Sequence, residues 1–248
     1  MKCHRFASQH SQEAALRSGK AALYEDLKRL ILTMELDPDE VLDEASLTAR
    51  YGLSRTPVRE VFQRLAGEGY LEIVEKRGVR VIPMSHATLR NFFLVAPMIY
   101  AAIGRLAVQH FRPAQLKALK ETQKRFRKAV QTRDADVLAL ENNRFHEIMG
   151  EMAANPYLQP SLGRLLIDHC RIGHTFYRPQ NADMERRLKL AADHHDAFIE
   201  AIEARNEQAV VDLVFEHWEL SRENMEIFIA PQGLKTEDLV QSSQDDKL

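Results

Sequence analysis

Cysteine is almost missing from this chain: it has two in 248 residues, Cys3 and Cys170. Two thiols build no disulfide framework, and their spacing matches no zinc-finger pattern. Long apolar runs are also lacking, and none approaches the ~18 residues expected of a bilayer span. Met1 to Gly19 is polar, without the apolar stretch of a secretory signal. Net charge is small as well: 34 Lys and Arg against 36 Asp and Glu give −2. Over residues 1–84 the two classes are equal, thirteen each. Together these features point to a cytoplasmic, reducing compartment and no membrane partner. A hydrophobic content of 45% with 28% charged residues describes a globular chain, long enough for two domains with their own cores.

The most informative segment is Leu53-Ser-Arg-Thr-Pro-Val-Arg-Glu-Val-Phe-Gln-Arg-Leu65. Ser54 or Thr56 can cap a helix here, and Pro57 is tolerated in a first turn. Val58, Val61, Phe62 and Leu65 form one apolar stripe. Ser54, Arg55, Thr56 and Arg59 lie at the opposite, N-terminal end. A short helix buried along one side, with cations and hydroxyls at its exposed start, suits the DNA major groove. Glu44 to Tyr51 precedes it as a second short helix broken by Gly52, so the order is helix, tight turn, helix. Gly67 and Gly69 stop the recognition helix. Residues 70–74 and 79–82 then read as two strands around Glu75-Lys76-Arg77-Gly78. This hairpin is a wing with Lys76, Arg77 and Gly78 at its tip. The charges are segregated, with Asp37, Asp39, Glu40, Asp43 and Glu44 before the motif and Arg55, Arg59, Arg64, Lys76 and Arg77 toward the groove. Such a dipolar domain can bind DNA with steep salt dependence. An ordinary solvated helix face is the alternative.

The Gly-Leu-Ser-Arg-Thr-Pro-Val-Arg-Glu run, Arg-Leu-Ala-Gly-Glu-Gly-Tyr-Leu and Arg-Gly-Val-Arg-Val resemble the GntR-type bacterial transcription regulators over about residues 24–83. The resemblance implies that Arg55, Thr56, Arg59 and Gly78 meet an operator.

The pattern divides the chain into a disordered N-terminus (1–18), a winged helix-turn-helix (19–84), an all-helical domain (85–230) and a disordered polar tail (231–248). The fold class is therefore mainly α: the winged helix plus an antiparallel bundle of six or seven helices. A Ser85 cap opens the bundle, Pro97 lies inside its first helix, and helices are expected over 114–131, 135–152, 157–177, 183–203 and 207–228.

Ten histidines are present, and three can converge. His146 lies one turn after Asn142, so both share a helix face. His195 and His217 stand about equally far before and after the turn at Asn206, and antiparallel neighbours bring such positions to one height. Three imidazoles and an oxygen suit a borderline divalent cation, Zn²⁺ or Ni²⁺ foremost. A partly buried histidine bonded to backbone or water is the alternative at each position, and His169 or His194 could replace a ligand. Residues 144–146, 155–158, 195, 199–202 and 217 resemble the FCD ligand-binding domain of the FadR subfamily. That resemblance implies a metal held by Asp and three His, mapping onto Asn142, His146, His195 and His217, with Asn142 in the Asp position. It also implies an Arg and a Glu in the first bundle helix, where this chain has Ala96 and Tyr100.

Arg171, His174 and Tyr177 lie on one helix and form the candidate effector clamp, an arginine there pairing bidentately with a carboxylate. Three functions follow. One is a homodimeric regulator on palindromic double-stranded operator DNA, controlled by a small metabolite, a carboxylate by resemblance. Another is a metal-dependent enzyme with an appended DNA-binding module, Asp193 and Asp196 being the nearest acids. The last is a purely structural metal.

Overall fold

The computed structural model describes residues 3–229, with side-chain surroundings for 18–174 and 176–220. Helix α1 runs Cys3–Leu32, so backbone expected to be disordered continues the first helix. The reason is intrinsic propensity: residues 3–18 contain three alanines, Leu16, Gln9, Gln12, Glu13 and Arg17, with no Gly or Pro. The polar tail at 231–248 lies outside the described residues.

Strand β1 (Val41–Leu42) follows, then α2 (Glu44–Tyr51), α3 (Arg55–Glu68), β2 (Leu71–Val74) and β3 (Gly78–Val81). Asp43 caps α2, accepting from the Ala45 and Ser46 amides, an arrangement worth about 1 kcal/mol. Gly52 ends α2 with φ +62° and Gly69 ends α3 with φ +88°, left-handed conformations that suit glycine. Gly67 lies within α3. Ser54 occupies the N-cap position of α3 without a side-chain capping bond.

The sheet order is β1-β3-β2, fully antiparallel. The two-residue β1 was not expected; its register pairs Leu42 with Val79, and a strand so short carries no alternation to read. Leu23, Leu27 and Ile31 of α1 bury against Val58, Val61, Phe62 and Leu65 of α3 and against Leu71 and Val81 of the hairpin. This core is continuous with bundle residues, among them Phe126, Leu138, Ile167 and Cys170.

Six further helices follow among the described residues: α4 (His86–His110), α5 (Pro113–Thr132), α6 (Ala135–Ala153), α7 (Leu158–Phe176), α8 (Ala182–Glu203) and α9 (Glu207–Ile229). Ser85 caps α4 by accepting from the Thr88 amide. Gly104 lets α4 and α9 approach closely, since a Cβ there would meet Val210 Cγ1 at 2.7 Å. Helix α4 is by length and hydropathy able to cross a bilayer, which the reading of apolar runs missed. Here Phe92, Ala96, Tyr100, Ile103 and Ala107 bury its inner face in the bundle.

Candidate nucleic-acid interface and metal centre

Ser54, Arg55, Thr56 and Arg59 are all exposed at the start of α3, while Pro57 and Val58 beside them are buried. Lys76, Arg77 and Gly78 are exposed at the hairpin tip. Lys76 takes φ +62° and Gly78 φ +91° there. The two groups are thus presented on the helix start and the wing. Glu44 of α2 reaches both arginines: its carboxylate accepts from Arg59 Nε at 2.9 Å and lies 3.8 Å from Arg55 Nε. An exposed pair of this kind contributes roughly 0–1 kcal/mol, so the arginines are lightly held.

Arg64, expected on the groove side, is elsewhere. It bonds Glu68 and lies 3.8 Å over the Tyr24 ring. Arg80 is likewise held by Glu72 and Asp39.

In the bundle, α6, α8 and α9 bring His146, His195 and His217 together. One ligand atom from each lies within 4.8 Å of the others. All three rings are buried, His195 completely. His146 Nε2, His195 Nε2 and His217 Nδ1 have no hydrogen-bond partner. A buried polar nitrogen without a partner costs about 1–3 kcal/mol, and one such nitrogen on each ring of this cluster is what a cation would satisfy. The remaining His195 nitrogen is fixed: Nδ1 lies 3.1 Å from Gln123 Oε1, and Gln123 Nε2 donates to the Ala192 carbonyl at 2.7 Å. With its amide so oriented, Gln123 accepts from Nδ1–H and leaves Nε2 as a lone pair aimed at the centre. Sequence reading missed Gln123, because an outer-shell partner on another helix leaves no spacing signal.

Burial pushes the His195 imidazole down to about 3 and His169 to about 4, with neighbouring histidines adding to the effect at His195. His146 and His217 are driven well down by the same causes. All four are neutral at pH 7, the form that ligates metal. In metal-free protein these depressed values make the folded state bind fewer protons than the unfolded state below pH 6.5. Stability is therefore complete above about pH 6.5 and falls as pH drops below it, because the unfolded chain takes up protons that the buried rings refuse. Urea unfolding of chelated protein at pH 7, 6 and 5 checks this, and a flat profile contradicts it.

Two small chambers adjoin the centre. One, of about 10 Å³, is lined by residues including Tyr100, His146, His169, His217 and Trp218. The other, of about 20 Å³, is lined by residues including Asn142, His169, Tyr177 and His217. Each has space for roughly one water-sized group. Tyr100 Oη and His169 Nδ1 bond at 2.7 Å. Asn142 is buried one turn before His146. Of the proposed effector clamp, Tyr177 is among the described lining residues of the second chamber. His174 Nε2 instead faces Asp136 at 3.7 Å. Arg171 donates to the Ile82 carbonyl at 2.8 Å and pairs with Asp168, because its α7 face points to the winged helix. The acids required by the enzyme reading are also engaged. Arg127 binds Asp193 at 2.7 Å and Asp196 through Nε at 2.6 Å, and neither acid lines a chamber.

Fold and site together define a winged-helix DNA-binding protein carrying a second, all-helical domain. Residues 20–81 match the bacterial regulatory proteins of the gntR family, and residues 98–220 match the FCD domain. The chain belongs to the GntR family of transcription regulators, with an FCD domain. It is 23% identical over 199 residues to the uncharacterized HTH-type transcriptional regulator YdhC of Bacillus subtilis, covering 79% of this chain and 85% of that protein. It is 29% identical over 131 residues to the HTH-type transcriptional repressor RspR of Escherichia coli, covering 53% of this chain and 58% of the relative. The solved structure of E. coli McbR/YncC superimposes with TM-score 0.71 at 19% identity, covering 86% of this chain and 99% of that one.

Proposed function

We propose that this regulator binds an inverted-repeat operator as a homodimer and that a small carboxylate metabolite controls its affinity. The metabolite binds through a divalent metal, zinc or nickel, on His146, His195, His217 and Asn142. The observation that carries this reading is the cluster of three imidazoles in the bundle interior, each with an unpartnered ring nitrogen. When bound, the metal supplies coordination positions for an oxygen donor. Among the described residues, no permanently charged side chain lines either chamber, and the metal is the positive centre we assign to an anion. Anything larger than water must displace the helices around the chambers. A ligand that prefers the displaced arrangement shifts the population of DNA-binding states.

For DNA contact, Ser54, Arg55, Thr56 and Arg59 read the major groove while Lys76, Arg77 and Gly78 follow the backbone. A second copy on the outer face of α4 supplies the other half-site reader. Leu94 and Met98 there are 72% and 69% exposed, and Val95 flanks them. Selection from random DNA should return an inverted repeat. On that duplex, adding zinc and then small carboxylates should change affinity at least ~5-fold, and Met98→Asp should sediment as monomer. Affinity indifferent to every addition would remove the ligand-control reading; a dimeric Met98→Asp would remove α4 as the interface.

A further inference from the structure

Helix α7 joins the two domains through a pair of arginines that the ligand site does not use. Arg164 and Arg171 stand seven residues apart, two helical turns, and so share one face. Arg164 Nη1 donates to the Gly69 carbonyl at 3.1 Å. Its stem lies so close that a Cβ on Gly69 would meet Arg164 Cδ at 2.6 Å. Gly69 is the residue that ends the recognition helix. Arg171 Nη1 donates to the Ile82 carbonyl at 2.8 Å, just beyond β3. The Ile82 amide in turn donates to the Tyr70 carbonyl at 3.0 Å. Ile82 is therefore tied to the winged helix by its N–H and to the bundle by its C=O.

The energetics make Arg171 the stronger of the two. Its side chain is fully buried, and Asp168 on the same helix neutralises it. Burying such a pair is costly to the fold, and Asp168 alone would balance the charge. What Arg171 adds is its reach to the winged helix. His169, two residues away on α7, lines both ligand chambers.

We propose that Arg171, with Arg164 as second point of attachment, is a positioning residue for operator recognition. It holds the recognition helix and wing at a fixed place on the bundle, and so sets the half-site spacing the dimer accepts. This rests on the dimeric reading above only for the spacing consequence. Without these two bonds the apolar packing and the Cys170 Sγ contact to the Leu32 carbonyl at 3.6 Å remain, but the end of α3 and the residue after β3 lose their polar anchor to α7, so each winged helix still reads its half-site with a looser placement.

The test compares wild type with Arg164→Gln and with the paired replacement Asp168→Leu/Arg171→Met, which removes both buried charges together and avoids stranding either. Hydrogen exchange of the peptide covering residues 79–85 should rise roughly 10- to 100-fold in the paired variant, with exchange in α8 unchanged. Binding is then measured on duplexes whose two selected half-sites are moved apart or together by one and two base pairs. Wild type should lose at least ~10-fold on a one-base-pair change, because fixed readers must meet both half-sites in register. The variants should vary by less than ~3-fold across the series and bind a single half-site as wild type does. Unchanged exchange at 79–85, or a spacing profile as sharp as wild type, overturns the assignment. If wild type selects no paired half-sites, the dimeric reading fails and exchange alone decides the positioning role.

Discussion

Protein purified without chelator is expected to carry close to one divalent metal per chain, and His195→Ala to carry less than about a tenth of that. His195 is the most deeply buried of the three imidazoles and the one whose orientation is fixed by an outer partner. Removing it leaves two imidazoles and a neutral amide, too few to hold a borderline ion in an enclosed site. Elemental analysis of both proteins makes the measurement. Gln123→Ala separates ligation from packing: it leaves every ligand in place but frees the His195 ring, and should weaken metal binding roughly 10- to 100-fold. Asn142→Asp should move affinity the other way, since a carboxylate adds charge to the ligand set. Metal retained at full occupancy in His195→Ala would place the ion elsewhere. Wild type that neither carries nor takes up zinc would reduce the three nitrogens to a cluster of unbonded core histidines.

The second large effect is expected at the start of α3. Arg59→Ala should weaken operator binding by about 1–3 kcal/mol, roughly 5- to 150-fold, with little change in thermal unfolding. The stability side follows from exposure: Arg59 is 62% exposed and, among the described residues, pairs with Glu44. The binding side follows from position, beside Arg55 and Thr56 on the exposed end of a helix whose other face is core. A base contact would relax preference at one operator position, whereas a phosphate contact would lower the salt slope by about one. Anisotropy titrations at two salt concentrations distinguish these, and unchanged affinity at moderate salt would remove Arg59 from the interface. Glu44→Gln probes the same arginines from the protein side. It frees both cations, and should raise affinity for unrelated DNA more than for the operator.

The secondary structure was legible because its causes are local. Gly52 and Gly69 end helices through their own left-handed backbone. Ser85 caps α4 through a side chain three residues from its donor. The stripe Val58, Val61, Phe62 and Leu65 repeats at the helical period and is buried. The same locality explains residues 3–18, where good helix formers without an apolar stripe read as disorder in the sequence yet continue α1. Strand β1 escaped because two residues show no period; it exists through pairing with residues 79 and 80.

The histidine centre lies between these cases. The spacing of Asn142 and His146 on α6, and the near-symmetry of His195 and His217 about residue 206, follow from helix geometry and are visible in the chain. Gln123, which orients His195 from 72 positions away, is not. Arginine shows the division most clearly. Sequence alone determined that Arg55 and Arg59 open an amphipathic helix, because the period and the turn are set by neighbours. Only the tertiary structure decided which arginines are available to a ligand. Arg64 lies over Tyr24, and Arg171 is spent on Asp168 and on a carbonyl 89 residues away. Burial and pairing depend on contacts between segments distant in the chain, and a one-dimensional pattern does not contain them.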